Sequence, residues 1–193
     1  MSYTDIPFVI NGEKIMNLKR FERKTKNDKW KNCKIENYTH LNKNYCLKNQ
    51  IVLIGDSITD FYNYYELFDD FSQKSGLKVY NRGISGDTTN RLLERLYDNA
   101  LIIQPKKLVC LIGTNDLAMG ADNEYISENI RSVITETKKH CPECKIAIQS
   151  VYPVIDHRQR HNKDIKAINE LIKAVCKQEN VFYMDLYDDL CDE

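Results

Sequence analysis

Five short apolar runs, at Ile51 to Ile54, Val79 to Tyr80, Leu108 to Ile112, Ile146 to Val151 and Val181 to Met184, constrain this chain more than any other feature. Each is rich in β-branched residues and too short for a helix, the pattern of a strand buried on both faces. Between them lie segments with helical spacing, over 60–75, 88–98, 123–140 and 162–178. In the last of these Ile165, Ile168, Leu171, Ile172 and Val175 recur at three- and four-residue steps and mark one buried stripe. Strands alternating with helices require right-handed crossovers, and so a parallel sheet covered by helices on both faces. At 193 residues the chain has room for one sizeable core. The expected organisation is a single α/β domain over 51–193, preceded by an extension over 1–50.

That extension reads differently, being polar and rich in Lys and Asn. Phe8 to Ile15 predicts a small hairpin around an Asn11-Gly12 turn, residues 16–29 predict a short amphipathic helix, and the whole is expected to pack on the domain. The basic stretch Lys19 to Lys34 is interrupted by Glu22, Asp28 and Trp30 and reads as a solvated helical face. Lys and Arg number 28 and Asp and Glu 28, for a formal charge of +0, so no overall field draws nucleic acid or an anionic membrane. No apolar run approaches the ~20 residues of a membrane span. Seven cysteines at irregular spacing, with no leader-like apolar stretch, point to reduced thiols in the cytoplasm. Cys141-Pro142-Glu143-Cys144 has the spacing of half a zinc site, but no second pair stands at a matching distance. It is read as structural.

Parallel sheets bind ligands beyond the carboxyl ends of their strands, so the residues that follow each strand are the ones to search. The first strand runs into Gly55-Asp56-Ser57, directly before a helix, where free N–H groups and the helix dipole favour developing negative charge. Ser57 is there either a nucleophile or an N-cap. The second ends in Asn81 to Thr89, where Gly86 allows close backbone approach and Asp87 or Thr88 can cap the next helix. The third ends in Gly113-Thr114-Asn115-Asp116. Asn115 there either closes an Asx turn or, with its side-chain amide aimed at the same point as the Ser57 and Gly86 N–H groups, would complete a three-donor oxyanion hole. Asp56 and Thr114, beside these groups, are candidate substrate contacts.

Taken together, Gly55-Asp56-Ser57, Ile84-Ser85-Gly86-Asp87-Thr88-Thr89 and Gly113-Thr114-Asn115-Asp116 resemble the ordered blocks of the SGNH/GDSL hydrolases, and are most similar to the platelet-activating-factor acetylhydrolase-like branch. The resemblance runs from about Ile51 to Leu190. It implies a three-layer, flavodoxin-like α/β/α fold with a five-stranded parallel sheet in the order 2-1-3-4-5. It also implies Ser57 as nucleophile, with Ser57, Gly86 and Asn115 as oxyanion donors, a small acyl ester, short-chain or acetyl, as substrate, and no metal or organic cofactor.

One block departs from the family. Members carry Asp-x-x-His after the fifth strand, yet the residues three before His40, His140, His157 and His161 are Asn37, Thr137, Val154 and Arg158. His157 and His161 follow the fourth strand and read as solvated loop residues. Asp185 is read as structural. A serine without a base is a poor nucleophile, so slow turnover is expected of this chain. The final helix of the family is likewise expected to be missing. That predicts an apolar sheet face either exposed or covered by residues 3–30 or a second copy of the chain. A different class of function, a catalytically silent module that binds an ester or acetylated carbohydrate, fits the same residues. A nucleotide-binding domain does not, for no glycine-rich phosphate motif follows any strand.

Overall fold

In a computed structural model of the chain, residues 3–10, 13–21, 28–62, 64–155 and 160–191 are described. Strands β1 (Tyr3–Ile10) and β2 (Glu13–Phe21) pair antiparallel, with Ile6 opposite Leu18 and Phe8 opposite Met16, and helix α1 (Asp28–Asn44) follows. The chain then runs through β3 (Ile51–Gly55), α2 (Ser57–Asp60), α3 (Tyr64–Ser75), β4 (Val79–Gly83), α4 (Thr89–Asn99), β5 (Lys107–Leu111), α5 (Thr114–Ala118), α6 (Asn123–His140), β6 (Lys145–Gln149), α7 (Asn162–Gln178) and β7 (Phe182–Met184). Beyond Met184 the described chain forms a single 3-10 turn, Asp188–Leu190.

The amphipathic helix expected over 16–29 is not formed over 16–21, which are strand. Met16-Asn17-Leu18-Lys19 alternates with a period of two and has a partner strand in β1, so residues 13–21 are extended, and the described helix is α1, Asp28–Asn44. The Asn11-Gly12 turn lies outside the described residues. The solvated reading of the basic stretch fails at its end, since Lys31 is 9% exposed and packs against the domain.

The five parallel strands stand in the order β4-β3-β5-β6-β7, the expected 2-1-3-4-5. This order decides which face each helix covers. From β3 the chain steps outward to β4, then crosses back over β3 to β5 and continues the same way to β7. With every crossover right-handed, α3 lies on one face, and α4, α6 and α7 on the other. On the second face Val52, Ile54, Leu108, Cys110, Ile146 and Ile148 meet Leu92, Leu96, Ile126, Ile130, Ile134, Ile165, Ile168 and Ile172 in one core. On the first, Phe68 and Phe71 of α3 reach only part of the sheet. Leu53, Val109 and Ala147 are half-buried, Phe182 is 62% exposed, and an apolar groove of about 610 Å³ lies open between them.

The two faces should respond differently to truncation. Ile130→Ala, at a position with no exposure, is expected to cost ~2–5 kcal/mol in urea unfolding, and Leu53→Ala on the open face less than half as much. Equal losses at the two positions would mean that the groove is filled in solution.

Candidate functional site

Three strand ends are brought level by the sheet register: Gly55 of β3 stands opposite Gly83 of β4 and opposite Leu111 of β5. The approach is tight at Gly55, where a Cβ would lie 2.2 Å from the Leu111 carbonyl oxygen. Ser57, Gly86 and Asn115 leave these three ends in adjacent loops.

Ser57 is the first residue of α2, and the N-cap is Asp56, whose Oδ1 accepts the Ile58 N–H at 3.0 Å. The Ser57 side chain is thereby relieved of capping. Among the described residues its hydroxyl has no hydrogen-bond partner. The Ser57 N–H, at the head of the helix, has no partner within it.

The loop after β4 is a turn closed by the Asp87 N–H on the Ile84 carbonyl at 3.1 Å, with Gly86 at φ +75°. Glycine takes that angle at no steric cost. Thr88, not Asp87, caps α4. Asp87 is buried against Arg95, whose Nε lies 2.7 Å from Oδ2. Among the described residues the Gly86 N–H donates to nothing.

Asn115 joins this loop to the third. Its Nδ2 donates to the Asp87 carbonyl at 2.9 Å, and its Oδ1 accepts from Arg160 Nη2 at 3.2 Å. Arg160 also donates from Nε to the Thr114 carbonyl at 3.0 Å. These bonds fix the orientation of the amide and leave Nδ2 one hydrogen for a ligand. Thr114 and Asp56, the candidate substrate contacts, are both buried, and the bonds they make run to Arg160 and to α2.

Two buried carboxyls sit beneath these loops. Burial pushes Asp56 up to about 6, against the hydrogen bond from Ile58 and the charge of Arg160, and its Oδ2 has no partner among the described residues. Asp116 is pushed up to about 7 by burial, although Thr89 donates to it from both N–H and hydroxyl.

None of the described histidines bonds Ser57. His40 bonds Asn44 on α1, His140 packs on Tyr97 at the end of α6, and His161 is exposed before α7. His157 lies outside the described residues. Asp185 stands 4.0 Å from Lys173. Burial raises Cys141 to about 11 and Cys144 to about 12, so neither is a ready thiolate, and no group of three metal-ligating side chains occurs among the described residues. Residue-by-residue reading missed Arg95, Arg160 and Lys31, each a cation whose role depends on a partner distant in sequence. No described helix is long and apolar enough to cross a membrane.

At one end of a 2-1-3-4-5 sheet, three adjacent loops thus present a serine at a helix head, two backbone N–H groups without partners among the described residues, and an oriented amide. The chain belongs to the GDSL-like lipase/acylhydrolase family, whose model matches residues 53–193. It is 28% identical over 138 residues to platelet-activating factor acetylhydrolase IB subunit alpha2 of Rattus norvegicus, and 28% over 137 to the protein of that name from Homo sapiens. Either match takes in 70% of this chain and 58% of the relative, so the chain spans under two thirds of the length of these curated relatives. Among solved structures, one described as a platelet activating factor from Streptococcus pneumonia is similar at TM-score 0.74 and 27% identity, covering 84% of this chain and 77% of that one. A GDSL-like lipase from Bacteroides thetaiotaomicron shares the fold at TM-score 0.69 and 23% identity, covering 82% and 80%.

Asp56 and Asp116 give the fold a pH signature. Both hold a proton when folded at pH values where the unfolded chain has released it, so folding takes up protons above the ordinary carboxyl value of 3.8. Their contribution to stability is full below pH 3.8 and falls as the pH rises to about 7. Asp116→Asn should flatten the fall in the urea midpoint across that window. Identical slopes in the two proteins would rule out a raised Asp116.

Proposed function

We propose that the chain is a serine-dependent hydrolase of small acyl esters, with Ser57 as nucleophile and the Ser57 N–H, the Gly86 N–H and Asn115 Nδ2 as donors to the oxyanion. The observation that carries this reading is the pair of N–H groups without partners among the described residues, in loops adjacent to an Asn115 amide held from both sides. Attack of the Ser57 Oγ on an ester carbonyl forms a C–O bond and moves charge onto the carbonyl oxygen, where preorganised donors lower the barrier. The alcohol then leaves with a proton, and water releases the acyl group from Ser57. Acetyl or another short acyl group is the preferred substrate, a choice supported by the acetylhydrolase relatives and by family membership.

Ser57 has no base within reach among the described residues, so its hydroxyl is barely activated. Oxyanion donors and binding alone supply ~10³ to 10⁴ over the uncatalysed rate. The same observation favours a second reading, a module that binds an ester or acetylated carbohydrate without turning it over.

Hydrolysis of p-nitrophenyl acetate separates the two. The 193-residue chain should act barely above background, and addition of a C-terminal segment bearing Asp-x-x-His should restore turnover that Ser57→Ala abolishes. In that extended protein Asn115→Ala should lower kcat by ~10² to 10³ with a smaller change in KM. An extended protein that binds acetyl esters yet never hydrolyses them would favour the module. Robust hydrolysis by the 193-residue chain, lost in Ser57→Ala, would instead require a base from the 156–159 loop or from His161.

A further inference from the structure

Helix α1 lies outside residues 53–193, which the family model matches, yet one stripe of it is bonded to the loop that carries Gly86. Lys31, Lys34 and Tyr38 recur at steps of three and four and so share a helix face. Lys31 Nζ donates to the Gly86 carbonyl at 2.8 Å, and the Tyr38 hydroxyl donates to the Gly83 carbonyl at 3.1 Å. Lys34 pairs with Asp60 Oδ1. The other oxygen of Asp60 accepts the Ser85 N–H at 2.9 Å and the Ser85 hydroxyl at 2.8 Å.

These bonds fall in a pattern. From Gly83 to Asp87 the backbone groups engaged are the Gly83 N–H and carbonyl, the Ile84 N–H and carbonyl, the Ser85 N–H, the Gly86 carbonyl, and the N–H and carbonyl of Asp87. The peptide between Ser85 and Gly86 is the one left with neither of its groups bonded among the described residues. It is the central peptide of the turn, and its N–H is the donor assigned to the oxyanion. The φ of +75° at Gly86 is that of the second central residue of a type II turn. Rotation of that one peptide by about half a turn converts type II to type I and reverses the N–H. Glycine permits both forms, so something outside the turn must select one.

We infer that helix α1 makes that selection. Lys31 is a positioning residue that holds the Gly86 carbonyl, while Lys34 acts through Asp60 on the Ser85 N–H, so the free peptide is clamped on both sides with its N–H toward the pocket. The inference rests on the proposed role of Gly86 as an oxyanion donor. It makes the N-terminal extension part of the site. The Lys31 ammonium also sits close over Gly86, since a Cβ there would lie 2.9 Å from Nζ, and it adds positive potential where negative charge develops.

The test uses the full 193-residue chain with Lys31→Met, Lys31→Arg and Lys34→Met, and two readouts. The first is the amide signal of Gly86 in ¹⁵N NMR spectra of the free protein. The second is the rate at which diisopropyl fluorophosphate phosphorylates Ser57, with fluoride leaving and the phosphoryl oxygen entering the oxyanion pocket. Lys31→Met should shift or double the Gly86 signal and slow phosphorylation about tenfold, less than the ~10² to 10³ for loss of a whole donor. Lys31→Arg, which keeps a cationic donor, should recover most of both. Lys34→Met should perturb the same amide from the other side, and it carries the test should Lys31→Met fail to fold. An unchanged Gly86 amide and an unchanged rate in the folded variants would overturn the inference, as would an arginine variant as impaired as the methionine one. If Ser57 of the unsubstituted chain is not phosphorylated at all, the nucleophile reading fails by itself, and the Gly86 amide alone decides whether α1 sets the turn.

Discussion

Arg95 holds together the end of the sheet on which the site is built. The buried guanidinium donates to the Gly55 carbonyl at 3.1 Å, to the Arg82 carbonyl at 2.8 Å and to Asp87 at 2.7 Å, so that one side chain of α4 joins the ends of β3 and β4 to the loop beyond. It lies 2% exposed. A buried ion pair of this kind is weak evidence of added stability, because both ions lose their hydration, but breaking one partner costs ~3–5 kcal/mol. Its effect here is geometric: Asp87 is drawn inward by Arg95, its carbonyl turns to Asn115, and the second and third loops are joined.

The sheet was legible because its signal is local. Val52 and Ile54 alternate with Ile51 and Leu53, and the helical stripe through Ile165, Ile168 and Ile172 survives in α7 with each residue fully buried. Order and handedness then follow from crossover geometry. The extension was legible only in part, since Met16 and Leu18 fit either a strand or a helix until β1 is seen beside them. At the site, the loops carrying Ser57, Gly86 and Asn115 could be named in advance because each follows a strand. The cations could not. Lys31 looks like one lysine among many, and its burial depends on Gly86, which lies 55 residues away. Asp56 and Thr114 stand beside the three groups in sequence, and the fold directs the Asp56 carboxyl to the N–H of Ile58 in α2 and the carbonyl of Thr114 to Arg160.

The proposed site combines held amide groups with a hydroxyl that nothing among the described residues activates. The groups proposed as donors are bonded through residues outside the three sequence blocks: Arg160 to the Asn115 amide, and Lys31 and Asp60 to the peptides on either side of the Gly86 N–H. The raised carboxyls Asp56 and Asp116 reflect the same enclosure, because loops packed this closely exclude the water that would keep them ionised. On the proposed reading, stabilisation of an oxyanion and activation of the nucleophile are separable tasks in this fold, and the described residues supply groups for the first.

A crystal structure of the chain with a phosphonate attached to Ser57 would test that claim most directly. The account predicts one phosphoryl oxygen lying ~2.7 to 3.1 Å from the Ser57 N, the Gly86 N and Asn115 Nδ2 at once. An oxygen turned to solvent, or an Asn115 amide out of its reach while still bonded to Asp87 and Arg160, would contradict it.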